Sequence, residues 1–297
     1  YGCSTTRTPH QNLLIGIVLS MLLWGLSWPS NKTLIGYCSA FNFVIYRYIL
    51  VILSFIPLLF FLKQSILIKK QGLPSLFISA ILLALYSYLF YLGVKKGQAG
   101  AGGVLVTTLN PIMAYVLGIV LSKKMPGANE RIGLVCGFLA GIILLEAWQS
   151  PEHIFDSGNL YFLLAAFSWA IMSKFTSRAG RYGSSFGFSF WQYFITLLCY
   201  LPGLDLEEMR HALTITDKWF WINLVFGSVI VTSLATTLYF YATTQLGSEK
   251  ASSFIFLVPL AAALSSWLFL GEIIQVHTIV GGLFGIAAVY FINRKRI

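Results

Sequence analysis

The sequence predicts an all-α membrane protein of ten transmembrane helices, laid out as two inverted repeats of five. Three observations carry that expectation. Hydrophobic residues make up 57% of the chain and charged ones only 10%, with a mean hydropathy of +0.78. A soluble domain would hold about a quarter charged residues. Ten apolar runs can be drawn, each near the roughly 20 residues a helix needs to cross a bilayer. Finally, a frame of anchors recurs at constant spacing. Tyr91 and Tyr239, Pro111 and Pro259, Gly133 and Gly281, and Gly137 and Gly285 all stand 148 positions apart. Trp24 and Trp169, and Arg47 and Gln192, stand 145 apart. Repeated offsets of this kind mark two diverged copies of one unit.

In chain order, a short polar tail (1–12) precedes the first repeat (13–148), with spans expected at 13–35, 41–62, 74–94, 98–121 and 128–148. A linker (149–158) leads to the second repeat (159–297), with spans at 159–178, 184–203, 218–244, 250–270 and 272–293. The first run is too long for a signal-peptide core and is counted as a span. Barrel strands alternate apolar and polar residues over about ten positions, whereas these runs stay apolar for twice that length, so a barrel is rejected. Five spans per copy is an odd number, which turns the second copy upside down. Inverted repeats are the usual skeleton of a secondary transporter, with substrate held near mid-membrane.

Charge sets the orientation. With the N-terminus in the cytosol, inside segments hold fourteen Lys and Arg against five outside, Arg47 being intramembrane. Both termini are therefore expected inside. Glu152, Asp156, Asp205, Glu207, Glu208 and Asp217 fall in outside loops. The net charge of +10 reads as attraction to membrane lipids at the cytoplasmic surface, with no nucleic-acid partner expected.

Trp24-Gly25 in the first span, Arg47-Tyr48 in the second, and a late segment carry a resemblance. That segment runs Leu246-Gly247-Ser248, Ala251-Ser252, Pro259, Leu270-Gly271-Glu272 and then Gly281. The chain resembles the drug/metabolite transporter superfamily, specifically its EamA-type ten-helix members. The first copy departs from the pattern, with Lys123-Lys124 where the family usually has Gly-Glu, and an unusually glycine-rich 97–103. The resemblance implies export or exchange of small metabolites, often amino acids or related compounds, without ATP hydrolysis. It also implies a cavity lined by the first, third, fourth, sixth, eighth and ninth spans. The expected location is a bacterial cytoplasmic (inner) membrane. A related alternative is import, by exchange, of a nucleotide-derived metabolite such as S-adenosylmethionine. A membrane enzyme on a lipid-linked substrate would need clustered acids or histidines, and none is apparent. A receptor or scaffold draws no support from the duplication.

Several residues are candidates for the substrate site. Trp24 and Trp169 lie near the midpoints of their spans, where they either line a cavity or pack helices, since interfacial anchors sit at the ends. Trp28 follows Trp24 by one turn on the same face. Asn110, directly before Pro111, is either a substrate contact or interhelical glue. The proline frees a carbonyl in the preceding turn, and Thr107 and Thr108 lie close by. Tyr88, Tyr91 and Tyr239 offer aromatic surface suited to a metabolite site or to an interfacial belt. Arg47 sits about 9 Å of helix rise inside its span. It either binds a carboxylate or gates, or it snorkels or pairs with Glu146 or Glu272. Lys174, near an inner helix end, is a gating candidate with snorkelling as the simpler reading.

Absences complete the reading. None of the ten Asp and Glu residues falls mid-span, which favours facilitated or exchange transport over a carboxylate proton relay. His10, His153, His211 and His277, and Cys3, Cys38, Cys136 and Cys199, show no ligand spacing, so no metal is expected. The 97–103 stretch lacks the Gly-Lys-Ser/Thr of a nucleotide loop, and no cofactor is expected. Gly133, Gly137 and Gly141, with Gly281 and Gly285, allow close helix approach. They serve either the fold itself or a homodimer.

Overall fold

The computed structural model describes residues 9–96, 99–123, 125–149, 157–215, 217–271 and 273–294. The tail 1–8, most of the linker, and Cys3, Lys124, His153 and Glu272 lie outside the described residues. Each long apolar run is helical, as a bilayer demands: hydrocarbon offers the backbone no hydrogen bonds, so each segment must supply its own. The first half comprises α1 (Pro9–Leu34), α2 (Ala40–Phe61), α3 (Leu73–Lys96), α4 (Ala99–Ser122) and α5 (Ala128–Leu144). The second half holds α6 (Ser157–Thr176), α7 (Ser185–Tyr200), α8 (Leu206–Leu213) and α9 (Lys218–Val225), a π-helical stretch Phe226–Thr236, and α10 (Thr237–Leu246). It closes with α11 (Ser248–Ser253), a 3-10 turn Phe254–Leu257, α12 (Val258–Leu270) and α13 (Val276–Asn293).

Among the described residues, eight helices are long and apolar enough to cross a membrane. The other two expected spans are helical but short, at 17 residues for α5 and 16 for α7. At 1.5 Å per residue they reach about 24–26 Å, a little less than the roughly 30 Å hydrocarbon core. The expected run 128–148 stops early because Leu145 and Glu146 close it with a left-handed turn, Glu146 having φ 47°. There Glu146 N–H bonds Ile143 O and Ala147 N–H bonds Ile142 O, which satisfies carbonyls left open at a helix end. Helix α7 ends differently, where Pro202, inside the 3-10 turn Leu201–Gly203, has no N–H to continue the ladder.

Helix α3 packs along α6, and α1 along the π stretch and its flanks. Likewise α4 packs on α6 while α12 packs on α1, and α3 meets α7 while α2 meets the π stretch. Helices α5 and α13 pair, as do α2 and α7. Counting α9–α10 as the eighth span and α11–α12 as the ninth, exchanging each span for the one five places on leaves the pattern unchanged.

The glycine stripes are consumed inside the chain. A Cβ on Gly133 would lie 2.8 Å from Ala288 O of α13, and one on Gly285 would lie 2.7 Å from Phe256 O. A Cβ on Gly137 would fall 2.2 Å from the Phe256 ring. Helices α5 and α13 thus approach around Phe256 because neither carries side chains there.

Residues 64–68 and 183–191 join at one end of the bundle. Ile68 bridges Gly183, Ser184 Oγ donates to Gln64 Oε1 at 2.7 Å, and Trp191 Nε1 donates to Ile66 O at 2.8 Å. At the other end α8, which the sequence reading did not expect, is capped by Asp205 and lies over the start of α2. Glu208 accepts there from the Ser39 and Asn42 amides, and from Ser39 Oγ at 2.9 Å. Burial alone would raise its pKa, but bonds from the Ser39 N–H, the Asn42 amide and the Ser39 hydroxyl outweigh it and hold the pKa below 4.5. A depressed carboxyl pKa contributes stability that is complete above the ordinary value and is lost as pH falls through the folded one. Hydrogen exchange of residues 206–213 is therefore expected to show protection at pH 6 that fades below pH 4.5. Equal protection at pH 3.5, after correction for intrinsic rates, would contradict the tie.

Candidate functional site

The helices enclose a cavity of about 100 Å³ among the described residues. It is lined from spans one, two, three, four, six, seven, eight and nine. Its apolar wall is aromatic. Trp24 of α1 meets Trp169 of α6 edge to face, with ring centroids 5.3 Å apart and planes at 82°. Tyr86 lies 4.6 Å from Trp169, and Phe90 lies 5.2 Å from Trp28. Edge-to-face pairs suit the ring quadrupole, negative on the face and positive at the edge.

The polar wall gathers on α1, α2, α3 and the π stretch. Trp24 Nε1 donates to Thr236 Oγ1 at 3.2 Å. Arg47 donates from Nε and Nη2 to Thr232 Oγ1 at 2.9 and 2.8 Å, and from Nη1 to Asn31 Oδ1 at 3.2 Å and the Tyr91 hydroxyl at 2.5 Å. Tyr48 and Ser87 share a hydrogen bond of 3.0 Å. Five-residue closure of the π stretch lets its hydroxyls bond carbonyls five positions back. Thr232 thus bonds Gly227 O at 2.9 Å and Thr236 bonds Val231 O at 3.0 Å. The same closure turns Val231, Thr232 and Thr236 together into the cavity; such departures from α geometry are frequent at functional sites.

Of the sequence-derived candidates, Trp24, Trp28, Arg47, Tyr91, Thr107, Asn110 and Trp169 all line this cavity. Three candidates do not. Tyr88 is 39% exposed, with its ring against Phe41, because it points off the cavity-facing side of α3. Tyr239 is fully buried behind the wall, 5.0 Å from Trp24 and 5.7 Å from Trp169. It backs the tryptophans. Lys174 neither lines the cavity nor snorkels: its Nζ donates to Glu249 Oε1 at 2.6 Å. Glu249 in turn faces Gly118 of α4, where a Cβ would come within 2.6 Å of the same oxygen. Arg47 is also corrected in its partners. Glu146 pairs with His277 Nδ1 at 3.2 Å instead, Glu272 lies outside the described residues, and the guanidinium turns inward to neutral oxygens.

The sequence reading passed over Asn31, Tyr86, Ser87, Phe90, Tyr193, Thr232 and Thr236. Tyr86 with Phe90, and Ser87 with Tyr91, carried a four-residue spacing that could have found them.

Asn110 is 97% buried at the cavity wall (3% exposed), and its Oδ1 has no hydrogen-bond partner. Trp169 Nε1 and Ser173 Oγ are buried facing the Tyr239 hydroxyl. Removing a partnered buried amide costs about 1–3 kcal/mol, whereas removing an unpartnered one relieves a penalty. Asn110→Leu is therefore expected to leave the melting temperature of the purified protein unchanged or raised while abolishing solute binding. A drop of several degrees would mean that the amide is structural glue.

Comparison with known proteins places the chain. The model of the EamA-like transporter family matches it twice, over residues 12–146 and 156–294. The chain is 29% identical over 299 residues to the uncharacterized transporter YdfC of Bacillus subtilis, spanning 97% of this chain and 93% of that one. It is 26% identical over 277 residues to the uncharacterized transporter YoaV of the same organism, spanning 91% and 93%. A crystal structure 16% identical in sequence superposes with a TM-score of 0.71, covering 96% of this chain and 97% of that one, and so shares the fold. With eight helices able to span a bilayer and both halves matched, this multi-pass membrane protein belongs to the EamA-like transporter family.

Proposed function

We propose that the protein is an alternating-access carrier that exports or exchanges small organic metabolites, amino acids or related compounds, through the cavity between Trp24 and Trp169. The observation that carries this reading is the exchange-invariant packing of spans around one aromatic and polar cavity. Two copies related by an in-plane pseudo-twofold axis can trade conformations and so open the same site to either side. In this reading each copy contributes five spans, both termini face the cytosol, and the membrane is a bacterial inner membrane. The joined ends at 64–68 and 183–191 then lie inside, and α8 lies outside.

The cavity volume of about 100 Å³ bears on the mechanism. Small-molecule pockets usually enclose about 300–1,000 Å³, so admitting a metabolite requires the wall helices to part. The ties available to break are unlike at the two ends. One end is held by Glu208 and by Tyr37, whose hydroxyl donates to Asp217. The other is held by the Lys174–Glu249 pair and by the joined segments 64–68 and 183–191.

Counterflow in proteoliposomes, with amino acids and nucleotide-derived metabolites as solutes, tests the reading. Accumulation of a labelled solute driven by its unlabelled form is expected. Trp24→Ala and Trp169→Ala should each reduce it at least tenfold, while the folded protein still elutes as one species. Unchanged counterflow in both variants would remove the cavity from the transport path.

A further inference from the structure

Among the residues lining the cavity, Arg47 is the one charged side chain. Its guanidinium has five N–H donors, and four donations go to three neutral oxygens, those of Thr232, Asn31 and Tyr91. Such partners orient a guanidinium without cancelling its charge, and no carboxylate pairs with it among the described residues. An uncompensated cation inside a membrane is costly and marks a function. The position 145 residues on is Gln192, which is fully buried and bonds Met172 Sδ and the carbonyl of Ser79. The cavity therefore has a cationic pole on the α2 side alone. Asn110 on α4 offers a bare acceptor, and the tryptophans supply the apolar wall.

Resting on the carrier reading above, we propose that Arg47 is the specificity-determining residue of this site. The transported molecule carries an anionic oxygen group, carboxylate or phosphate, that docks on Arg47. Its apolar or aromatic body lies against Trp24, Trp28 and Trp169, and a hydrogen-bond donor on it reaches Asn110 Oδ1. One guanidinium N–H remains for the ligand, so either oxyanion docks by a single charge-assisted bond beside the uncancelled positive charge. That charge repels a ligand whose only charge is positive.

The test uses the purified full chain with four probes that share a phenyl body: 3-phenylpropionate, 3-phenylpropionamide, phenethylamine and phenyl phosphate. The carboxylate or the phosphate is expected to raise the melting temperature, and the stronger of the two identifies the oxyanion. The amide and the amine should bind at least tenfold more weakly. Arg47→Gln is expected to weaken the anion about ten- to a hundredfold, the size of a charge-assisted hydrogen bond, with Arg47→Lys intermediate. Should Arg47→Gln fail to fold, the wild-type preference for carboxylate over its own amide decides the matter. Equal binding of amide or amine, or unchanged anion affinity in Arg47→Gln, overturns the assignment. Counterflow separates the two claims. Trp24-dependent transport of the amine or the amide as fast as the carboxylate would defeat the charge selectivity and leave the carrier standing. Anion binding lost in Arg47→Gln but without counterflow would do the reverse.

Discussion

The edge-to-face contact of Trp24 with Trp169 fixes the centre of this molecule. An indole is too large to be absorbed by a helix–helix interface built on small residues, so α1 and α6 stand apart where the two rings meet. The space beside them is the cavity. Tyr86 and Tyr239 support the rings from α3 and α10, each within 6 Å of Trp169, and each is drawn from a helix that packs on α6 or α1. Where the bundle needs no opening, at α5 and α13, glycines bring the backbones together instead. Large residues hold the middle apart, and small ones close the flank.

Deviations from α-helical backbone concentrate on the same centre. The π stretch Phe226–Thr236 and the 3-10 turn Phe254–Leu257 place residues in the cavity wall, and Pro111 removes one backbone N–H from α4 beside Asn110. Irregular backbone at membrane depth is tolerated where it is buried in protein or lines a polar space. Hydroxyl groups take up the bonding lost there: Ser228 bonds Leu224 O, and Ser233 bonds Ser228 O.

The spans were legible because hydrocarbon imposes continuous apolarity, and the duplicated frame was legible through its prolines, glycines and tryptophans. Seven of the cavity residues followed from the same marks. Tyr88 was misplaced for a physical reason: α3 is apolar all the way round, so no amphipathic stripe fixes its rotation. Neighbouring tyrosines on it cannot then be sorted into wall and exterior. Thr232 and Thr236 were hidden because a four-residue spacing reads as ordinary helix, while π closure is a tertiary outcome. The pairing of Lys174 with Glu249 joins residues 75 positions apart and leaves no trace in local pattern. Helix α8 carried local signals, an Asp205 cap with Glu207 and Glu208 in its first turn and Arg210 and His211 in its last, but at eight residues it is too short to register as a span.

The two copies have kept a contact while changing its chemistry. Arg47 bonds Asn31 on the first span, and Gln192 accepts from Thr176 Oγ1 on the sixth, at 3.4 Å. Residues 31 and 176 stand 145 positions apart, as do 47 and 192, and as do Tyr48 and Tyr193 beside them. The shared geometry thus ties the first span of each copy to its second. In one copy that tie is a cation opening on the cavity; in the other it is a neutral amide sealed at 0% exposure against Met172. A carrier with equal poles would hold a charged solute with equal strength in either orientation. In the proposed carrier, placing the charge in one copy would give the solute a single preferred orientation, and Coulomb attraction of a few kcal/mol at short range in a partly dry site would be enough to enforce it. Duplication would supply the alternating frame of that carrier, and the lost symmetry at positions 47 and 192 would supply discrimination by charge.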